Sequence, residues 1–207
     1  MTILEEIIHS VQDNLHRLNT QAVMDVNTIN EELAKTILEL DDKTVTQLTE
    51  YLQLQLVPDE FQIAKKANLF FMLNPDNFIT NVMGPDVMTY THVEIDPKIS
   101  ELVPSLEEIY KKWLEPIQAQ HAVFTTMEGM AEFVVQQILK DDTDFQNYLS
   151  TFAGISYSDY SVKKSIGKEF TQYVFDVHGK DTFVKLIANP PNTRELKEPQ
   201  LYLNRIK

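Results

Sequence analysis

The sequence predicts a mainly α fold, a multi-helix bundle-like domain with a small β element near residues 87–95. Three observations carry this. Only 5 of 207 residues are glycine, too few for the tight turns of an all-β sandwich or barrel. Apolar residues recur at helical spacing along most of the chain. Ser/Thr-x-x-Glu, the pattern in which a hydroxyl and a carboxylate satisfy the free N–H groups of a helix start, begins at Thr2, Thr28, Ser105 and Thr125.

Taken in order, Thr2-x-x-Glu5 opens a first helix with Leu4, Ile8, Val11, Leu15 and Leu18 on one stripe. Thr28-x-x-Glu31 opens a second, with Ile29, Leu33, Ile37 and Leu40. Asp41-Asp42 break it and cap a third through Val45, Leu48, Tyr51, Leu52 and Leu56, which Pro58 ends. A fourth runs from Pro58-Asp59-Glu60 to Asn74-Pro75. Prolines at 75, 85, 97 and 104 then change the character of the chain. Between them, residues 87–95 alternate with β-branched residues at every second position, which predicts a strand. Helices resume at Ser105-x-x-Glu108, at Thr125-x-x-Glu128 and after Asp141–Asp144. Another runs from Val162 to Val177, with Gly179 as its stop, and Asp181 caps a short one to Ala188. The predicted parts are therefore an acidic helical part (1–74), a proline-rich connector (75–104), a C-terminal helical part (105–190) and a basic tail (191–207).

The chain holds no cysteine, which excludes disulfides, thiolate zinc sites and a thiol nucleophile. Its first residues carry no basic region and turn acidic within six positions, unlike a secretory signal. Its longest apolar run, Leu69–Leu73, falls far short of the roughly 20 residues of a membrane span. The expectation is a soluble cytoplasmic protein.

Net charge is −13 and unevenly spread. Residues 1–60 carry 12 acids and 3 bases, whereas 151–207 carry 6 acids and 9 bases. An excess of carboxylates repels phosphate backbones and anionic membranes. It argues against nucleic acid or membrane as partners and for a basic protein or another copy of the chain. Glu31, Glu32, Glu39, Asp41, Asp42 and Glu50 are the candidate contact set.

Phosphate-cradling glycine loops, a nucleophile elbow and His-Glu-x-x-His are missing from the sequence. His9 and His16, seven residues apart, are spaced too widely for two ligands of one zinc. Asp141, Asp142 and Asp144 begin like a calcium loop, but a count from Asp142 puts Asn147 and Ala153 where glycine and glutamate are needed. They read as a helix cap. His92 and Glu94 share a side of the predicted strand and could act as acid and base. Tyr157 and Tyr160 with Lys163, Lys164 and Lys168 have the ingredients of a nucleic-acid patch, although the lysines could instead pair with the protein's own acidic helices.

The segment Glu128-Gly129-Met130-Ala131-Glu132-Phe133 resembles the E-G-[LM]-A-E-[YF] helix of gluzincin-type zinc metallopeptidases. The pattern from Tyr160 through Gly167, Phe170, Tyr173 and Gly179 to Leu186 is similar to the helical continuation of that family. The resemblance covers residues 125–190 and implies a metal-ligand role for Glu128. The family's two zinc-binding histidines and general base have no counterpart upstream, and His121 does not replace them. A zinc-bound water would be neither held nor deprotonated.

The sequence thus favours a non-catalytic acidic interaction or assembly protein that needs no cofactor. The alternatives are a degenerate gluzincin-like metallohydrolase, and an acidic inhibitor or nucleic-acid mimic of the kind phages and mobile elements encode.

Overall fold

The computed structural model describes residues 2–54, 62–75, 94–152 and 159–207, and everything below concerns these. They form α1 (Thr2–His9), α2 (Asp13–Leu38), α3 (Asp42–Tyr51), α4 (Gln62–Leu73), α5 (Pro97–Leu102), α6 (Ser105–Ile138), α7 (Thr143–Phe152), α8 (Asp159–His178), α9 (Asp181–Ala188), α10 (Thr193–Lys197) and α11 (Pro199–Arg205). The mainly α class holds. The candidate strand at 87–95 lies outside the described residues except for Glu94 and Ile95, which carry no strand.

Two of the predicted helix starts are helix interiors. Thr28 sits within α2, where its hydroxyl donates to the Met24 carbonyl at 2.9 Å. Thr125 is buried within α6, a helix of 34 residues. A threonine inside a helix can bond the carbonyl four residues back, so the Thr-x-x-Glu pattern alone does not mark a beginning. Pro116 also lies inside α6. It removes one helical hydrogen bond, a cost of about 3 kcal/mol. Burial of Trp113, Ile117, Val123 and Met127 along the same helix offsets it.

Other starts and stops follow local chemistry. Asp41 accepts from the Thr44 N–H at 2.8 Å and caps α3. Asp142 does the same for α7 through the Phe145 N–H. Gly179, at φ +57°, ends α8 and donates to the Phe175 carbonyl. The end of α3 differs from expectation. Gln53, a non-glycine residue, takes φ +52°, while the Leu54 and Gln53 N–H groups reach back to the Thr49 and Glu50 carbonyls. That is a Schellman stop built without glycine. The first predicted stripe is also broken: α1 ends at His9, and Val11 points outward while Leu15 is buried.

The chain divides into two compact units, residues 23–117 and residues 1–22 with 118–207. The boundaries differ from the four sequence-based parts and fall inside α2 and α6. In the 23–117 unit, Val26, Leu33, Val45, Leu69, Leu106 and Trp113 are core residues. Asp96 joins α3 to the start of α5 by accepting from the Tyr51 hydroxyl and the Lys98 N–H, both at 2.8 Å. The Tyr51 hydrogen bond, with that of Lys98, holds the Asp96 carboxyl below its ordinary range.

The other unit is organised around a backbone crossing of α6 and α8. A Cβ placed on Gly129 would stand 2.0 Å from the Gly167 carbonyl carbon, and one on Gly167 would stand 1.9 Å from the Thr125 carbonyl oxygen. Only glycine lets two helices approach this closely. Met127, Met130, Phe170 and Val174 are buried on the same two helices. Residues 192–207, expected as a tail, are instead packed helix. Asn192 and Glu195 form a reciprocal capping box. Tyr202 and Leu203 are buried, with the Tyr202 ring edge-on to Phe170 at 5.3 Å.

Candidate functional site

Charge is partitioned between the two units. Residues 23–117 carry 17 acids and 7 bases, a net −10. The other unit carries 14 acids and 11 bases, a net −3. All six carboxylates of the predicted contact set belong to the first unit and are exposed. Glu31 and Glu32 lie on α2, Glu39 just past its end, Asp41 and Asp42 at the start of α3, and Glu50 near its end. Two of the six also have internal roles. Glu32 pairs with Lys112 at 2.9 Å, and Asp41 caps α3, its Thr44 backbone bond lowering its titration range.

In the other unit, polar groups turn inward. Lys164 of α8 bonds to Glu5 of α1 and lies 3.4 Å from Glu132 of α6, with all three side chains about 15% exposed or less. One ammonium thus joins three helices. Beside it, the Nε2 of His9 lies 3.6 Å from Glu128. The His9 Nδ1 donates to the Gln12 amide oxygen at 2.8 Å, and the Gln12 amide nitrogen donates to the Met127 carbonyl at 3.1 Å. Gln12 is fully buried at the break between α1 and α2. Asn14 adds a bond to the Ile187 carbonyl at 2.6 Å. The cluster clasps the N-terminal helix to its unit.

The individual candidates fall as follows. Glu128 meets His9, a histidine that sequence spacing does not connect with it. His121 is buried on the same helix, seven residues before Glu128. Among the described residues, no group of three or more His, Asp or Glu is placed to hold a metal ion. His9 and His16 sit on separate helices, yet their rings meet edge-on at 6.1 Å, and the His16 Nε2 is 3.0 Å from the His9 carbonyl. His92, the expected partner of Glu94, is outside the described residues. Of the lysines read as a nucleic-acid patch, Lys163 is buried over the Phe124 ring and Lys164 is bound in the clasp. No helix among the described residues is long and apolar enough to cross a membrane.

The C-terminal helices hold a second ion pair. Arg205 donates to both oxygens of Glu195, at 2.6 and 2.9 Å. Burial alone pushes the Glu195 carboxyl up, but Arg205 and the Asn192 backbone N–H outweigh it, so Glu195 titrates below its ordinary value. Burial pushes the neighbouring Tyr202 hydroxyl up to about 12.

No known protein family, curated protein or solved structure matches this chain.

Proposed function

We propose that this chain is a non-catalytic interaction protein that binds a basic protein partner through the carboxylates of residues 23–117. The observation that carries this is the concentration of 17 acids against 7 bases in that unit, with six carboxylates of α2, α3 and the link between them facing solvent. An excess of like charge on one unit repels itself, and a cationic partner relieves that repulsion as it binds. Such complementarity acts chiefly on association rate and on the choice of partner.

The test is affinity capture from extract of the protein's own cells, run in parallel with the variant E31Q/E32Q/E39Q/D42N/E50Q. Asp41 is left in place because it caps α3. The expected result is a basic protein held by the wild type at ~50 mM salt, released by ~500 mM, where screening is within a few Å, and not held by the variant. Equal capture by both proteins would overturn the proposal. Capture of an acid-sensitive nucleic-acid enzyme would replace it with the mimic reading.

A further inference from the structure

Among the described residues of the 1–22 and 118–207 unit, two apolar surfaces are exposed. The first is the outer side of α1. Its inner side is held down by Glu5 and His9 in the clasp. Ile3, Glu6 and Ile7 of α1 face solvent, as do Ser10 and Val11 in the turn just past its end, with Ile3 77%, Ile7 57% and Val11 65% exposed. The three apolar ones, Ile3, Ile7 and Val11, recur at the four-residue step by which an amphipathic helix presents anchors to a groove.

The second surface is such a groove. It has a volume of about 300 Å³ and is lined by Phe133, Val134 and Ile138 of α6, Phe175 of α8 and Phe183 of α9, together with the polar Gln137 and Lys180. The three phenylalanine rings lie 5.2 to 6.2 Å apart and form its floor. A smaller cavity of about 230 Å³ shares Phe133 and Gln137 and extends the groove along α8 to Lys168, Glu169 and Gln172.

We infer that helix α1 of one copy docks in the α6–α8–α9 groove of a second copy. Length agrees: α1 has eight residues and rises about 12 Å, and Lys168 to Phe175 on α8 spans about 10 Å. Charge agrees as well. The outer side of α1 carries Glu6 and no base, and the groove lining carries two cations, Lys180 and Lys168, against one acid, Glu169. A chain cannot fill its own groove this way, because the clasp holds α1 with its apolar side turned outward. Each copy therefore offers both a helix and a groove. A reciprocal exchange closes as a two-fold dimer, and a one-way exchange builds a ring or a filament.

The contact is mainly apolar, so it responds to salt differently from the acidic surface of the other unit. Failure of one proposal is thereby distinguishable from failure of the other. The experiment is sedimentation velocity of the full chain at high micromolar concentration, beside Ile7→Glu and Ile138→Glu. Both side chains are more than half exposed, so neither substitution touches the core. Wild type should associate, and each variant should weaken association at least about tenfold. Mixed one to one, the two variants should associate again, because the first retains a sound groove and the second a sound helix. A change from ~50 to ~500 mM salt should leave wild-type association within about twofold, since the residual charge contact is minor. A wild type that stays monomeric overturns the inference, and so does association that both variants preserve. A mixture that stays monomeric after each variant has lost association also overturns it.

Discussion

The two units place similar numbers of carboxylates in different ways. The described carboxylates of residues 23–117 face outward, as at Glu31, Glu39, Asp42 and Glu50, and where they pair, as Glu32 does with Lys112, the pair is exposed. The other unit turns several of its own inward and matches them: Glu5 and Glu132 share Lys164, and Glu195 holds Arg205. The difference separates two uses of charge. Outward carboxylates add little to stability and leave a field for a partner to meet. Inward pairs are part of the fold, since removal of one member leaves a desolvated charge behind.

The largest effect should come from the glycine crossing. Gly167→Ala gains about 1 kcal/mol of helix propensity. Its Cβ, however, would stand 1.9 Å from a backbone oxygen. Forced separation of α6 and α8 should cost about 3 kcal/mol or more, read as a lower midpoint in denaturant titration. A midpoint at or above wild type would show that the helices part freely.

Lys164→Met should come next, at about 3 kcal/mol, because Glu5 and Glu132 would face each other with no cation between them. The matching change in the acidic unit, Lys112→Met, breaks an exposed pair with Glu32 and should cost less than about 1 kcal/mol. Equal losses would erase the contrast between the units.

Glu195→Gln should cost about 2 kcal/mol through the lost Arg205 pairing and the weakened capping box. The pH dependence has a definite sign. The folded-state titration of Glu195 is depressed. Its contribution is therefore complete above the unfolded carboxylate range, near 4.5, and is lost as pH falls through the lower folded value. A wild-type minus variant difference that grows on acidification would contradict this.

The smallest effect is a gain. Gln53→Gly should stabilise the chain by about 1 kcal/mol, because glycine adopts the left-handed turn after α3 without steric cost. Thermal unfolding would show it as a rise of a few degrees.

Local chemistry was legible in the sequence. The Asp41 and Asp142 caps and the Gly179 stop depend on residues a few positions away, and each stands where expected. Patterns were misleading where tertiary packing decides. Thr28 and Thr125 carry the same letters as a helix start but lie in long helices whose buried faces run on past them. The box at Asn192 and Glu195 used another member of the same code, directly after Pro190-Pro191, and could have been read. The exposure of the six carboxylates was legible because charged side chains seldom leave water. The clasp was not, since Lys164 and Glu5 are 159 residues apart. Gln12 gave no sign that it would be fully buried. Glycines at 129 and 167 were the one trace of the crossing, and neither shows from sequence that it faces the other.

The crossing also has a consequence for motion. Two backbones stand in direct contact there, and the Thr126 and Thr171 hydroxyls beside them are bonded into their own helices. Amides that open only with the whole unit exchange last. In deuterated solvent, the N–H groups around Gly129 and Gly167 should therefore keep their protons longest. Those beside Ser10 and Val11, at the exposed break after α1, should lose theirs first.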